Sequence, residues 1–226
     1  MTIRLIDRPS PNFDERPKEA EINVLVLHYT GMKTLKEALD RLVNQVSQVS
    51  THYVISQSGD VYSMVEETKR AWHAGVSHWR GITQLNAHSI GIELENPGHE
   101  FGYKSFPDSQ MNSLKELCDE ILSRHPIPAR NVIGHSDIAP RRKQDPGELF
   151  DWKWLADQGI GLWPNAASSK YMQCNVEVLL SALGYEVDNI SATLSAFQRH
   201  YLPSTITGQA DGLTCTVLNS LVELVG

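Results

Sequence analysis

The chain is poor in the features that would send it to nucleic acid, into a bilayer or into a disulfide scaffold. Lys and Arg number 20 against 27 Asp and Glu, a formal net charge of −7. No dense Lys/Arg run interrupts that balance. Gripping a phosphate backbone needs a basic stripe, so nucleic acid is excluded as a partner. No run is long and apolar enough to span a membrane. The first residues, Met1 to Pro9, break their few apolar side chains with Arg4, Asp7 and Arg8 and lack the apolar core of a signal peptide. The expectation is a cytoplasmic protein, or a periplasmic one if this chain is trimmed or exported by another route. Cysteine is scarce: Cys118, Cys174 and Cys215 are odd in number and widely spaced, with no CxxC. That pattern predicts neither a disulfide framework nor a thiolate zinc knuckle. It predicts three small, buried or half-buried thiols, which favours a reducing compartment. Long internal repeats and low-complexity tracts are also missing.

What is present is an ordinary globular composition, 41% hydrophobic and 21% charged over 226 residues. That is enough chain for one sizeable core or a core with a small satellite. Residues 1–20 are rich in Pro and charge and read as an extended arm. Ile22 to Thr30 is mostly β-branched and apolar, as in a strand buried on both faces, and carries His28 near its end. Thr34 followed by Glu37 signals a helix start, and Leu35, Leu39, Leu42, Val43 and Val46 continue at helical spacing. Thr51–Ser56 and Val61–Val65 flank Ser58-Gly-Asp60 and predict a hairpin. A loop dense in Trp and His follows at 71–81, then a buried-type strand over Ser89–Glu95.

Asp108 is placed to cap a helix with Met111, Leu114, Leu117, Cys118, Ile121 and Leu122 on one face, ended by Pro126 and Pro128. A short apolar run then leads to His135, and Asp151–Gln158 predicts a short helix. Strands alternating with helices, plus a hairpin, predict an α/β fold with a central mixed sheet flanked by helices. Around Trp163 to Ser169 the composition turns to linker type. Three short helical patterns follow, with Leu179, Leu180 and Leu183, then Leu194, Phe197 and Tyr201, then Val217, Leu218, Leu221 and Val222. The expected organisation is an arm (1–20), a catalytic domain (21–164) and a small three-helix C-terminal domain (165–226) docked on it.

Chemistry concentrates in a few positions. A catalytic zinc site takes three ligands from His, Asp, Glu or Cys and keeps one position open. His28 and His135 both end apolar runs, and Asp145 lies in a turn just before Pro146-Gly147. If the two strands are neighbours, a His-His-Asp face forms at one end of the sheet. Glu93 sits inside an otherwise apolar strand, where an unpartnered charge is costly, so it is paired or functional. Beside a metal its natural role is general base and then acid. Lys143, two residues before Asp145, is placed to stabilise an oxyanion. Singly, each has a plainer explanation. A strand-end His is commonly structural, Glu93 or Glu95 a salt-bridged strand residue, Lys143 with Arg141 and Arg142 a solvated charge run, and Trp72, Trp79 and Trp163 packing.

Together they match a known pattern. Val26-Leu-His-Tyr-Thr30, Ser50-Thr-His-Tyr-Val54, Arg70-Ala-Trp-His-Ala-Gly75, Leu85-Asn-Ala-His-Ser-Ile-Gly-Ile-Glu-Leu-Glu-Asn96, Gly134-His-Ser-Asp-Ile-Ala-Pro140 and Arg142-Lys-Gln-Asp-Pro-Gly147 occur in that order. The chain thereby resembles the zinc-dependent N-acetylmuramoyl-L-alanine amidases of the type 2 amidase domain, the group of AmpD and AmiD. Their fold is shared with peptidoglycan recognition proteins. The resemblance implies one Zn²⁺ per chain on His28, His135 and Asp145, Glu93 as base and Lys143 as oxyanion stabiliser. It implies that Trp72, His73 and Asn86 line the groove. It adds the substrate, the amide between N-acetylmuramic acid (or its 1,6-anhydro form) and L-alanine in peptidoglycan or muropeptides. Thr51 stands where some relatives carry Tyr, and Arg141 where some carry Gly.

In the tail, Leu179-x-x-x-Leu183-Gly-Tyr185, Ala196-Phe-Gln198 and Asp211-Gly-Leu-Thr214 resemble a peptidoglycan-binding domain, with a bracing module as the alternative. His52 reads as a packing or supporting group. His78, His88, His99, His125 and His200 carry no specific signal and read as surface or structural. The rival function on the same fold is a non-catalytic peptidoglycan receptor, which typically lacks a metal ligand. A zinc peptidase cutting within the stem peptide shares the metal chemistry. A monomer is expected.

Overall fold

The computed structural model describes residues 4–164 and 173–225. The N-terminal segment contributes β1 (Leu5–Asp7) and β2 (Phe13–Glu15), followed by β3 (Val24–Tyr29) and α1 (Leu35–Val43). Next come β4 (Tyr53–Ile55), β5 (Val61–Ser63), β6 (Lys69–Ala71), α2 (Leu85–His88) and β7 (Ser89–Leu94). After them lie α3 (Gly98–Phe101), α4 (Asp108–Arg124), β8 (Val132–Gly134), α5 (His135–Ile138) and α6 (Trp152–Asp157). The tail forms α7 (Val176–Leu183), α8 (Ile190–Tyr201) and α9 (Gly212–Val225).

Six strands make one mixed sheet in the order β1-β5-β4-β7-β3-β8, and β2 pairs with β6 separately. The hairpin expected from Ser58-Gly-Asp60 is the antiparallel β4–β5 pair. Around it, β4–β7, β7–β3 and β3–β8 all run parallel. The arm is thus part of the structure, with β1 parallel to β5 and β2 antiparallel to β6. It is stitched further by the Arg16 guanidinium, which donates to the carbonyls of Asn86 (3.0 Å), Ala87 (2.7 Å) and Ser89 (2.8 Å).

The period-two alternation of β3 and β7 sets up two unlike faces. Leu25, Leu27, Ile90, Ile92 and Leu94 point to one side and are sealed by Met111, Leu114, Leu117, Cys118 and Ile121 of α4. Val24 and Val26 point to the other, where Leu180, Phe197 and Leu218 of the tail join the same cluster. A third cluster, Leu39, Leu42, Val54 and Met64, fixes α1 on that second side. His28 and Glu93 follow the alternation onto the second face.

Local signals held in detail and slipped by a residue or two. Thr34 caps α1, its Oγ1 accepting from the Glu37 N–H at 3.2 Å. The helix stops at Val43, however, so Val46 falls in a 3₁₀ turn and is 88% exposed rather than on the apolar face. Pro107 takes the cap position of α4 and Asp108 is its first residue, where a carboxylate still suits the helix dipole. The linker predicted around 163–169 lies for the most part outside the described residues. The cysteines require a correction. Cys174 and Cys215 form a disulfide with a Cα–Cα separation of 5.5 Å, and Cys118 alone is a free thiol, buried in α4. An odd count hid a pair because the third cysteine is a core residue of a different element.

Candidate active site

The strands β3, β7 and β8 run in one direction, so their carboxyl ends open on the same edge, where α/β sheets place their sites. In register, His28 stands opposite Glu93 on β7, and Leu27 opposite Gly134 on β8. His28 and His135 therefore leave the same end of adjacent strands, with β8 ending at Gly134 and His135 opening the short helix α5. Gly134 is needed there: a Cβ would lie 2.7 Å from Pro146 Cδ, so only glycine lets the returning loop lie against the strand end. The Ser136 N–H donates to the Asp145 carbonyl at 2.9 Å and holds that loop in place.

The three predicted ligands meet. His28 Nδ1, His135 Nδ1 and Asp145 Oδ2 are each 3.0 Å from the other two. All three residues are buried, at 1%, 4% and 6% exposure. The neighbouring hydrogen bonds decide where the ring protons sit. His135 Nε2 lies 3.1 Å from the Ala74 carbonyl, which only accepts, so Nε2 carries a proton and, in the neutral ring, Nδ1 offers a lone pair. The His28 tautomer is set through a chain of three residues. The Ser89 hydroxyl donates to the Leu85 carbonyl at 2.5 Å, so it accepts from His73 Nε2 at 3.2 Å. His73 Nδ1 is then the acceptor for His28 Nε2–H at 3.0 Å, which leaves His28 Nδ1 unprotonated. Burial, and next the neighbouring His135, lower His28 to about 4, so it stays neutral. Burial, then His28 and His52, likewise hold His73 well below the ordinary imidazole range.

With both rings neutral, two imidazole lone pairs and a carboxylate oxygen converge without a proton between them. Such a set repels itself until a cation sits among it, and each ring is turned by an outer partner, as in histidine metal sites. Nitrogen and oxygen donors in this ratio suit zinc.

Glu93 is half-buried beside the triad, with Oε2 hidden from solvent and without a hydrogen-bond partner. Burial first, then the Asp145 charge, push its carboxyl well above the usual range, against an opposing pull from Lys143. The cleft over these groups encloses about 680 Å³ and is lined by Trp72, His73, Glu93, His135, Lys143 and Asp145, among others. Asn86 does not line it. Its Oδ1 accepts from the backbone N–H groups of His73 (3.1 Å) and Ala74 (2.7 Å) and so shapes the loop that does.

Other positions differ from their sequence reading. Thr51 is fully buried and donates to the Gly91 carbonyl at 2.7 Å, away from the cleft. Arg141, which stands where some relatives carry Gly, does not line the cleft and pairs with Glu186 of the tail at 3.4 Å. His99 belongs to the cleft wall, its Nδ1 2.9 Å from Tyr29 Oη and its Nε2 3.1 Å from Glu148. Sequence reasoning also passed over Gly91, where a Cβ would meet His73 Cγ at 2.6 Å. A glycine inside an apolar strand was the available signal for such close approach.

With this geometry in hand, comparison with known proteins is specific. The sequence profile of the N-acetylmuramoyl-L-alanine amidases matches residues 18–148, more than half of the chain. The chain belongs to this amidase family. The amidase AmiD of Escherichia coli K12 is 36% identical over 234 residues, covering 91% of this chain and 84% of that protein. The 1,6-anhydro-N-acetylmuramyl-L-alanine amidase AmpD of Haemophilus influenzae is 36% identical over 64% of this chain and 86% of its own length. Among solved structures, E. coli AmiD with anhydro-N-acetylmuramic acid-L-Ala-D-gamma-Glu-L-Lys matches with a TM-score of 0.81 at 34% identity, over 95% of this chain and 98% of that one. AmpDH3 of Pseudomonas aeruginosa with anhydromuramic pentapeptide gives 0.82 at 31% identity, over 93% and 96%. The likeness to these amidases runs past the profile into the tail helices.

Proposed function

We propose that this amidase hydrolyses the bond between the lactyl carbonyl of N-acetylmuramic acid, or its anhydro form, and the amine of L-alanine. The observation that carries the reading is the convergence of His28, His135 and Asp145 at 3.0 Å, with Glu93 in register beside His28 and the cleft open above. His28, His135 and Asp145 would hold one Zn²⁺, which would supply Lewis acidity at the scissile carbonyl and lower the pKa of water at the site to about 7.

The protein's own groups do the rest. Glu93 takes a proton from the attacking water as the new C–O bond forms. The Lys143 ammonium, with no side-chain ion pair among the described residues, faces the cleft and balances the oxyanion. Glu93 then delivers the proton to the alanine nitrogen as the C–N bond breaks. A carboxyl raised above its ordinary range matches a base that must also act as acid near neutral pH. Trp72 and His73 wall the groove against the substrate, and Asn86 keeps that wall in shape.

Residues 21–164 form the catalytic unit in this reading, and 165–226 brace it. The apolar cluster that the tail shares with β3 supports bracing over an independent module. No described helix is long and apolar enough to cross a membrane. The tail disulfide supports an oxidising compartment over the reducing one expected from three free thiols. The net charge of −7 speaks against nucleic acid, and we take the amidase to act as a monomer. Digestion of intact sacculi and of soluble anhydro-muropeptides, with products identified by mass, tests the whole reading. Release of intact peptides beginning with L-Ala is expected. Cleavage within the stem peptide, or binding without cleavage, overturns it.

A further inference from the structure

Helix α5 carries a candidate metal ligand at its first residue and a buried carboxylate at its third. Asp137 is 1% exposed, and its oxygens accept from three donors. The Gly134 N–H, the Tyr185 hydroxyl and the His200 Nδ1–H each donate at 2.8 Å. The first is local. The other two reach in from the tail, 48 and 63 positions along the chain. Both are rigidly held. The His200 ring is stacked between Trp152 (centroids 3.8 Å apart) and Tyr201 (3.9 Å). Tyr185 is 3% exposed and meets Trp79 edge-on at 4.9 Å.

We infer that Tyr185 and His200 are positioning residues for the metal centre, acting on His135 through Asp137. The inference rests on the metal reading above. A four-residue helix has no stability of its own, so whatever grips it sets its direction. The imidazole of His135 must aim Nδ1 at Asp145 while Nε2 reaches Ala74, so its ring is constrained at both nitrogens and its backbone with it. Apart from Asp137, the turn is held among the described residues by Ala74 on His135, by the Asp145 carbonyl on the Ser136 N–H, and by the His78 N–H, which donates to the Ile138 carbonyl at 2.9 Å. On the far side the hold comes from Asp137. Without the two tail donors that carboxylate keeps one backbone N–H, a poorly satisfied buried charge that moves toward other donors and carries the turn with it. The described tail residues then serve the active site without lining its cleft.

The test is zinc affinity in the full chain, measured by competition with a chromophoric chelator, alongside thermal unfolding. Tyr185→Phe keeps the ring and removes one donor, and His200→Leu removes the other. Each is expected to weaken zinc roughly tenfold, the lower end of what outer partners of metal ligands contribute. His200→Asn places an amide N–H where Nδ1–H stood and is expected to recover most of the affinity. Val217→Ala, in the buried tail core and outside the hydrogen-bond set of Asp137, is expected to lower Tm and leave zinc affinity unchanged. Unaltered zinc affinity in both Tyr185→Phe and His200→Leu overturns the inference and leaves the tail a brace. A wild-type chain that binds no zinc overturns the metal reading itself, and the inference with it.

Discussion

Two buried sets of imidazole and carboxylate lie on opposite sides of the same short helix. On the cleft side are His28, His135 and Asp145; on the tail side are Asp137, His200 and Tyr185. Residue types and burial hardly distinguish them. Protons do. Around Asp137 every close partner is a donor, N–H or O–H, and the carboxylate is satisfied. Around Asp145 Oδ2 the two nearest groups are imidazole nitrogens whose protons are committed elsewhere, to Ala74 and to His73. A satisfied cluster rigidifies, whereas one with converging lone pairs waits for a cation. Donor counting therefore separates the two clusters where composition does not, and it supports the metal reading proposed for the first.

That contrast is open to attack, starting from its strongest consequence. Asp145→Ala is expected to lose bound zinc, by metal analysis, and all detectable hydrolysis with it. Glu93→Ala is expected to keep zinc while kcat falls by about 10²–10⁴-fold, the usual contribution of a general acid–base group. Unimpaired turnover in that variant sinks the mechanism. Gly91→Ala drives a methyl into the His73 ring and is expected to weaken zinc by roughly 10–100-fold, as loss of an outer partner does. Asp137→Ala strands two tail donors and a backbone N–H. It is expected to destabilise the fold by about 3–5 kcal/mol in denaturant titration, the scale for breaking a buried charged network.

A third set, Glu67 with Arg124 (2.7 Å) and His125 (2.6 Å), gives the smallest effect and a pH signature. Burial would raise Glu67, but the hydrogen bonds from Arg124, Tyr53 and His125 outweigh it and bring the carboxyl down to about 2. A depressed folded-state value stabilises above the unfolded pKa near 4.5, and the contribution is lost as pH falls toward 2. At most about 3 kcal/mol is involved. Glu67→Gln is expected to flatten the acid limb of the stability profile between those values, with little change in zinc content.

Much of the site was readable in the residues before the fold was known. Strand-end histidines, a Pro-Gly turn after Asp145 and a lone glutamate in an apolar strand are local signals, and local signals survive in a sequence. The register that sets Glu93 beside His28 is not local. A shift of one position would have sent Glu93 to the opposite face, among the α4 side chains, and nothing in either strand alone forbids it. The grip on Asp137 was equally hidden, because His200 lies 63 positions away in a helix whose pattern advertised only its apolar stripe. Asn86 was assigned to the groove by resemblance, but its carbonyl oxygen is occupied by the backbone of the loop. The cysteine pair escaped because spacing along the chain says little about distance across a three-helix tail.

The two outer strands of the main sheet, β1 and β8, are each three residues long. An open sheet ends in rows of unpaired amides and carbonyls, and a long, flat border of that kind recruits further strands from other molecules. Here one border is a short N-terminal strand and the other turns into a helix as soon as it passes Gly134. The molecule can keep its catalytic edge open to substrate without offering a template along its sides, so crowding should not convert it into a sheet shared between chains.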